Sequence, residues 1–394
     1  MPSTAGAPGH EPGLELPAAE VPRQQTEAPR QQAEAPRRQA EAETRPVEAL
    51  VFPPGFKPVR GVHLSAWVAG SPHSRKKFLD QLSGTFINAV VVPLKETDGQ
   101  VYVAGVPKAQ AYGTTLIAIP DPVALVADIH GRGLRAIARI VVFKDNLLAR
   151  KHPELAVKHA GGGLWRNNNG ITWVDPYRRE IWDYNLELAL AAVRLGFDEI
   201  QFDYVRFPSD GDTTTCRYSR EDHTEKSAVA NILDFLRFAR KRLEPTKVAM
   251  SIAVFGMTTT ARDDMGIGQD LLVMTGLSDF VSPMMYPSHY AHGEYGLRNP
   301  NREPYKVIFR GLRDAKRRLG AEAWKLRPYL QDFSLFHVHY GPSELQAELM
   351  AAQKQGIESF ILWNPANHYT WQALRLRNDS PLRYASAPPS AAGH

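Results

Sequence analysis

The sequence predicts an α/β fold, a (β/α)8 TIM barrel of eight parallel strands, and three observations carry this prediction. Eight short β-rich runs alternate with amphipathic helical stretches, a pattern typical of parallel βαβ units. Together they fill roughly 330 of the 394 residues, a length that one barrel commonly takes. Polar and aromatic residues gather where most of the runs end. A doubly wound open sheet is the alternative, but no G-x-G-x-x-G turn follows the first run.

In chain order, the predicted strands are rich in β-branched and aromatic residues and cover 59–68, 86–94, 134–143, 198–207, 248–255, 279–286, 326–333 and 359–364. The clearest helices between them have apolar residues at helical spacing and cover 122–132, 179–195, 228–243, 306–319 and 343–355. Glycine follows several of these helices, at points where the chain must turn: Gly133, Gly196, Gly320 and Gly356.

The fourth run, 198–207, is predicted to be a strand with a carboxylate at its carboxyl end. Its apolar and polar residues alternate with period two: Ile200, Phe202 and Tyr204 against Glu199, Gln201 and Asp203. If the apolar set faces covering helices, the polar set faces into the barrel, where burial requires a partner or a task. Asp203 then lies at the carboxyl end of the strand, where barrel enzymes carry their active sites. Glu199 lies at the opposite end and is predicted to be structural.

The barrel is predicted to span 51–382, between two segments whose composition is not that of folded chain. Residues 1–50 contain a loose seven-residue repeat that begins Glu-Val-Pro-Arg-Gln-Gln-Thr at Glu20. A proline in every repeat and the lack of an apolar seam exclude a coiled coil. This composition predicts a disordered linker, and the small, Pro-rich residues 383–394 predict a disordered tail.

The net charge of +5 is spread along the chain. Residues 1–50 hold five Arg and eight Glu, so the remainder carries about +8. The densest basic group has helical spacing and no interleaved aromatic residues: Arg313, Lys316, Arg317 and Arg318. It predicts a solvated helix face, and no nucleic-acid partner is predicted.

Cys216 is the one cysteine, which excludes an internal disulfide and favours a structural thiol. No apolar stretch has the length of a membrane span. The sequence does not begin with a signal peptide, so the protein is either cytoplasmic or, if the start is truncated, exported or bound for the cell envelope. The sequence leaves that choice and the oligomeric state open.

Six predicted strands end in polar and aromatic residues, whereas the first and fifth do not. In a barrel these ends meet at one mouth, and the mixture is typical of sugar binding, because aromatic faces cover the C–H faces of a sugar ring while polar groups bind its hydroxyls. We therefore predict a carbohydrate substrate. No metal or other cofactor is predicted, since no H-E-x-x-H or similar spacing occurs. The candidate substrate-binding residues are Trp67, Arg139, Lys144, Trp173, Tyr204, Arg206, Tyr286, His289, Gln331, Trp363 and Asn364.

Glycoside hydrolysis needs two carboxyl groups that flank the scissile bond, about 5–5.5 Å apart in retaining and 6.5–9.5 Å apart in inverting enzymes. Asp203 is the predicted nucleophile or base, held ionised by a neighbour such as Arg206. The second carboxylate is left open among Glu96, Asp98 and Asp332. For Asp145 and Asp175 we retain the alternative that they cap or brace loops.

Several segments near these strand ends resemble the DUF4015 family, a domain of unknown function that is assigned to the TIM-barrel glycosidases. In order along the chain they are 61–67, 138–145, 164–166, 173–177, 197–209, 268–269, 282–290, 330–333 and 362–365. The resemblance implies a barrel with a carbohydrate-cleaving site around Asp203. It implies no particular sugar, linkage or stereochemical course.

Two positions depart from the family pattern. Ala253 lies in the fifth strand where the family often has Asp, and Pro93 lies in the second strand where it often has another. If either aspartate is the family's acid, this chain lacks it, because alanine and proline transfer no protons. Three hypotheses follow: a glycoside hydrolase that uses Glu96, Asp98 or Asp332 instead, a catalytically inactive carbohydrate-binding barrel, and a scaffold whose working part is the linker.

Overall fold

The computed structural model describes residues 49–375, and these contain a closed barrel of eight parallel strands. Its strands are β1 Arg60–His63, β2 Ala89–Lys95, β3 Arg135–Val141, β4 Glu199–Asp203, β5 Ala249–Phe255, β6 Phe280–Met284, β7 Tyr329–Gln331 and β8 Phe360–Trp363. β8 closes the barrel on β1, with Ile361 level with Gly61. The predicted (β/α)8 barrel is confirmed.

Helices surround this barrel and connect its strands. They are α1 Ala66–Gly70, α2 Pro72–Gln81, α3 Pro107–Ala111, α4 Pro122–His130, α5 Asn146–Lys151, α6 Arg179–Arg194, α7 Glu225–Leu243, α8 Leu271–Gly276, α9 Pro304–Leu319, α10 Pro342–Lys354 and α11 Trp371–Leu374. Outside the barrel, two antiparallel two-residue strands join the loops after β3 and β4, Lys158–His159 and Cys216–Arg217. Cys216 is buried there, and burial raises the pKa of its thiol to about 11, as suits a structural thiol.

The barrel wall separates two apolar regions. The larger core lies between the strands and the outer helices, where Phe202 of β4 packs against Phe235 of α7 with 5.5 Å between ring centroids. A smaller apolar cluster inside the barrel includes Ile137, Ala253 and Tyr329. The alternation along β4 accounts for the division, because successive side chains of a strand point to opposite faces.

The polar row of β4 faces the barrel interior, as predicted. At the amino end, Glu199 accepts hydrogen bonds from Arg327 and, at 2.5 Å, from Ser251, and Arg135 lies 3.3 Å away. These four residues are called the floor cluster below. Gln201, one step higher, accepts a hydrogen bond from the hydroxyl of Tyr329. Asp203 completes the row at the carboxyl end, so the strand carries charge at both ends of the barrel.

Local sequence signals set the ends of the helices that feed these strands. α7 begins at a capping box in which Thr224 and Ser227 each accept from the other's backbone N–H. α6 ends just before Gly196, whose φ of +94° is a conformation that glycine adopts without strain. Helix boundaries therefore agree closely with prediction. The first strand is shorter than predicted because Ser65 already caps α1.

Two predicted segments are not covered by this description. The linker at 1–50, apart from residues 49 and 50, and the tail at 383–394 lie outside the described residues, so the 51–382 boundary stays a prediction. No helix within residues 49–375 has both the length and the apolar character needed to cross a membrane.

Candidate active site

One buried arginine organises the polar residues at the mouth of the barrel. Arg139 of β3 donates to Oδ2 of Asp203 from Nε at 2.8 Å and from Nη2 at 2.7 Å. Its Nη1 donates to Oε1 of Glu96 at 2.5 Å. The guanidinium stays charged in proteins, so it supplies the positive charge beside which two carboxylates can lie. Arg139, Asp203, Glu96 and the adjacent His63 are called the mouth cluster below.

Asp203 is held at the end of β4 by its own backbone as well as by Arg139. The side chain is almost fully buried, and Oδ1 accepts a 2.6 Å hydrogen bond from the N–H of Tyr204. Tyr204 has a φ of +50°, a left-handed conformation that is uncommon outside glycine and recurs at functional sites. Arg206, predicted to hold Asp203, instead donates to the carbonyl of Phe207 and to Ser209. The arginine partner of Asp203 is therefore Arg139.

Glu96 reaches the mouth because β2 is irregular at its end. The register against β3 shifts between Pro93 and Lys95, which is typical of a β-bulge. Lys95 turns outward into a buried ion pair with Asp145 at 2.6 Å and donates to Asn185 of α6. The side chain of Glu96, the next residue, keeps a quarter of its surface exposed. Arg139 binds two of the acidic candidates, Asp203 and Glu96. Of these two, Glu96 is the one that reaches solvent.

His63 completes the mouth cluster, although it was not among the predicted site residues. Its Nε2 lies 3.8 Å from Oε1 of Glu96, and its ring lies against Trp363 with 4.0 Å between centroids. Both ring nitrogens are buried without a hydrogen-bond partner among residues 49–375. Burial, and then the nearby Arg139, lower the pKa of His63 well below its usual value, so the ring is neutral. One feature of the sequence could have identified His63 as a site residue. It lies at the end of β1, a position equivalent to that of Asp203 at the end of β4.

Aromatic side chains form one wall of the mouth. The Arg139 guanidinium lies 5.2 Å from the ring centroid of Trp363, which is partly exposed. Tyr286 follows β6 on the far side. Burial, together with the neighbouring Tyr329 and the negative charge of Asp203, raises the pKa of Tyr286 well above its usual value. Its hydroxyl therefore stays protonated and can donate a hydrogen bond. These groups offer ring faces and a donor beside the carboxylates.

A second group of predicted binding residues packs within the loops after β3 and β4. Arg206 lies 5.0 Å from the ring centroids of both Trp173 and Tyr204, and Lys144 lies 5.1 Å from that of Tyr204. Trp173 is fully buried, so its ring faces are already covered by protein. The structure thus places Trp173 and Arg206 behind Asp203, where they shape the loop that carries Tyr204.

Asp332 and Asn364, at the ends of β7 and β8, bind the chain's own loops. The two carboxylate oxygens of Asp332 accept from the N–H and the hydroxyl of Thr370, at 2.8 and 2.6 Å. Burial raises the pKa of Asp332 to about 6. The amide of Asn364 donates to the backbone carbonyls of Asp332 and His368. Gln331 likewise bonds to Ser288 and Phe333.

Of the remaining candidates, three carboxylates bind loops of the protein and one tryptophan is exposed. Asp98 accepts from the hydroxyl of Tyr102 and a backbone N–H, and Asp175 accepts from two backbone N–H groups. Asp145 caps α5, so the prediction that Asp145 and Asp175 brace loops is confirmed. Trp67, in α1 just after β1, is 57% exposed and presents a free ring face.

The structure therefore brings Asp203, Glu96 and Arg139 together and keeps Asp332 engaged elsewhere. Ala253 is fully buried in the apolar cluster inside the barrel, which also contains Tyr286 and Tyr329. Within residues 49–375, no three His, Cys, Asp or Glu side chains are grouped so that they could hold a metal ion. The chemistry available at the mouth is that of two carboxylates, an arginine, a neutral histidine and aromatic rings.

Comparisons with known proteins identify a family and solved structures that are similar to this chain. The DUF4015 family model, described as "Putative glycosyl hydrolase domain", matches residues 61–369. The solved structure of a hypothetical protein from Ruminiclostridium thermocellum is 36% identical, over 48% of this chain and 96% of that one, with a TM-score of 0.44. The PgaB (BpsB) glycoside hydrolase domain from Bordetella bronchiseptica is 13% identical, over 82% and 100%, with a TM-score of 0.60, and shares the fold. No curated protein matches the chain in sequence.

Proposed function

We propose, since the chain belongs to the DUF4015 glycosyl hydrolase family, that it cleaves glycosidic bonds of a poly- or oligosaccharide with Asp203 and Glu96. The observation that carries this proposal is the binding of both carboxylates to the one guanidinium of Arg139 at the mouth. Because both carboxylates bind the same guanidinium, they lie close enough to flank one glycosidic bond. Retaining enzymes hold their two carboxyl groups about 5–5.5 Å apart and inverting enzymes about 6.5–9.5 Å apart.

Asp203 is proposed as the nucleophile or base. Its carboxylate is buried and fixed at both oxygens, by Arg139 at Oδ2 and by the N–H of Tyr204 at Oδ1. A fixed carboxylate can face the anomeric carbon at a set distance, and such positioning supplies much of the rate of enzymatic reactions. The charge of Arg139 compensates that of Asp203 while the site is empty.

Glu96 is proposed as the general acid. It is the member of the pair that reaches solvent, from which it can take up the proton that it delivers to the leaving oxygen. Arg139 and His63 both approach Oε1, so Oε2 is the oxygen that would carry this proton. In this proposal Glu96 takes the part that an aspartate in the second or fifth strand would play in other family members, where this chain has Pro93 and Ala253.

The same mouth supports sugar binding. Trp363 and Tyr286 flank the mouth cluster, and Trp67 presents an exposed ring beyond it. Aromatic rings contribute a large apolar area and a polar edge, which suits the mixed surface of a sugar. Of the polar residues predicted to bind sugar, we retain His289 and reassign Gln331 and Asn364 to support of the loops.

A catalytically inactive carbohydrate-binding barrel is the second candidate, and two observations favour it. Ala253 supplies no titratable group, and Arg139 already binds both carboxylates of the mouth. If substrate does not separate Glu96 from Arg139, Glu96 delivers no proton to the leaving oxygen and the barrel binds glycans without cutting them.

The test is release of reducing sugar from a panel of bacterial envelope polysaccharides and exopolysaccharides. Wild type would be compared with Asp203→Asn, Glu96→Gln and the matched surface control Asp234→Asn. We expect release by wild type and the control, and a loss of about 10²–10⁴-fold or more in the two mouth variants. Equal release by Asp203→Asn would overturn the proposal. Saturable binding of a glycan by all four proteins, with release by none, would establish the inactive barrel.

A further inference from the structure

We propose that Gln331 and Ser288 fix His289 in its Nδ1–H tautomer, so that Nε2 is a permanent hydrogen-bond acceptor at the mouth. The group it would accept from is a hydroxyl or amide N–H of a sugar. Only this choice of ligand rests on the proposed function; the tautomer follows from the protein's own hydrogen bonds.

The orientation of the Gln331 amide is set by backbone groups, whose donor and acceptor roles are fixed. Its Nε2 donates to the carbonyl of Phe333 at 2.9 Å, and its Oε1 accepts from the N–H of Ser288 at 3.1 Å. If the amide were turned over, its NH2 group would face an N–H and its oxygen would face a carbonyl. The backbone therefore determines that Oε1 points toward Ser288.

The hydroxyl of Ser288 links the Gln331 amide to the ring of His289 and determines which ring nitrogen carries the hydrogen. Its hydroxyl lies 2.8 Å from Oε1 of Gln331 and 3.0 Å from Nδ1 of His289. An amide oxygen only accepts, so the single hydroxyl hydrogen of Ser288 points to Gln331. Ser288 Oγ must then accept from His289, which requires the hydrogen on Nδ1. In the opposite tautomer, a Ser288 hydroxyl that donated to Nδ1 would leave its oxygen facing the lone pairs of Gln331 Oε1 at 2.8 Å with no hydrogen between them.

Backbone hydrogen bonds hold Gln331 and His289, the two ends of this relay. The backbone N–H of Gln331 donates at 2.9 Å to Oε2 of the buried Glu348, which reaches in from α10. The backbone N–H of His289 donates at 2.8 Å to the carbonyl of Tyr286, in the short helical turn Pro287–His289. Two strands, β6 and β7, thus hold the two ends of the relay.

The ring of His289 is placed to meet a ligand. It is partly exposed and lies between Tyr286 and Phe333, with centroid separations of 5.2 and 6.2 Å. Burial lowers the pKa of His289 to about 4, so the ring stays neutral near neutral pH. A neutral acceptor between aromatic rings favours a neutral sugar that offers O–H or N–H, and it disfavours a uronate, whose carboxylate would face a lone pair.

The first test is nitrogen NMR of the ¹⁵N-histidine-labelled protein without ligand, with the His289 signals identified by their loss in His289→Asn. We expect Nδ1 to show the signal of a protonated ring nitrogen and Nε2 that of an unprotonated one. Ser288→Ala should give a mixture of tautomers, and Ser288→Thr, which keeps a hydroxyl, should retain the wild-type tautomer. A hydrogen on Nε2 in the wild type would overturn the proposal, as would an unchanged tautomer in Ser288→Ala. If Ser288→Ala or Ser288→Thr fails to fold, the wild-type spectrum still decides the tautomer.

The second test uses whichever glycan the polysaccharide panel identifies, as a substrate or as a bound ligand. His289→Asn keeps a donor toward Ser288 but lacks the Nε2 acceptor. It should raise KM, or Kd, by about tenfold with kcat unchanged, the effect of one neutral hydrogen bond. An unchanged KM or Kd would overturn the ligand part. Failure of the proposed hydrolysis would instead appear as activity in Asp203→Asn, and it would leave the tautomer as measured.

Discussion

The barrel holds an arginine–carboxylate cluster at each end, and the two differ in what surrounds them. At the floor, both oxygens of Glu199 are bound by Arg327, Arg135 and Ser251, and the carboxylate is fully buried. Burial alone would raise the pKa of Glu199, but its ion pairs with Arg327 and Arg135 lower it. The protein supplies partners to both oxygens of this carboxylate and leaves it no exposed surface, as in a structural interaction.

The mouth cluster is left incomplete by the protein. Glu96 is partly exposed, and both nitrogens of His63 are buried without a hydrogen-bond partner in the described chain. Leaving a buried polar group unsatisfied costs about 1–3 kcal/mol, so such groups are rare unless they have a role with ligand or water. The comparison teaches that charge and burial alone do not mark a site. Nor do unsatisfied groups alone, because Nε of Arg135 and Nε of Arg327 at the floor are also buried without a hydrogen-bond partner. The mouth differs in that its carboxylate Glu96 reaches solvent.

The largest effect is expected at the floor. Arg327→Met leaves the buried carboxylate of Glu199 with a weaker set of partners. Removing one member of a buried ion pair costs about 3–5 kcal/mol of stability. Denaturant unfolding would measure this loss, while the rate of hydrolysis per folded molecule should be unchanged. A fall in that rate without a fall in stability would break the distinction between floor and mouth.

Arg139→Met is the matched change at the mouth and, unlike Arg327→Met, should lower the activity of the folded protein. It removes the group that positions Asp203, so kcat/KM should fall by about 10²–10³-fold, the range for a lost electrostatic contact in an active site. Stability should fall as well, because Asp203 is almost fully buried and would keep the N–H of Tyr204 as its partner without a compensating charge. Steady-state kinetics and denaturant unfolding of both variants would check this. An unchanged kcat/KM in folded Arg139→Met would contradict it.

Asp332 differs from Glu199 and Asp203 in its partner. It is a buried carboxylate that binds Thr370 and not an arginine. Its pKa is raised by burial to about 6 when folded, against about 3.9 in an unfolded chain. Its contribution to stability is therefore fully present below about pH 4 and is lost as the pH rises through about 6.

The Asp332→Asn variant lacks this titration. Relative to that variant, the unfolding free energy of the wild type should fall by about 2–3 kcal/mol between pH 4 and pH 7. Denaturant midpoints at the two pH values would measure it. A difference that does not change with pH would show that Asp332 is not titrating in this range.

The smallest effect is expected at Trp67, whose side chain is 57% exposed. Trp67→Ala should raise KM by about two- to tenfold, from the loss of about 0.5–1.5 kcal/mol of ring contact, with stability unchanged. Trp324→Ala is the matched control, because Trp324 precedes β7 at the floor end of the barrel. It should leave KM unchanged. Equal KM values for both variants and the wild type would show that Trp67 does not contribute to substrate binding.

The fold was predictable because its signals are local and repeated. The alternation of Ile200 and Phe202 with Glu199 and Gln201 places one set in the outer core and the other inside the barrel, as the structure has them. The same alternation predicts that Glu199 lies at the floor and Asp203 at the mouth.

The partners of the site residues were harder to predict, because they depend on side chains brought together from distant strands. Arg139 was predicted to bind substrate, but its contacts with Asp203 and Glu96 were not predicted. His63 was passed over because a single histidine in an apolar strand carries no distinctive spacing. Asn364 has the chemistry of a sugar ligand, and only the structure shows that its amide is committed to neighbouring carbonyls.

The central claim is that the carboxylate at the mouth performs the chemistry while the carboxylate at the floor holds the barrel. The most direct measurement takes Asp203→Asn and Glu199→Gln side by side and records both thermal unfolding and hydrolysis of the best polysaccharide from the panel. The account predicts that Asp203→Asn loses hydrolysis and keeps a melting temperature close to that of the wild type. Glu199→Gln should lose stability and keep its activity per folded molecule. Hydrolysis by Asp203→Asn at the wild-type rate would contradict the account.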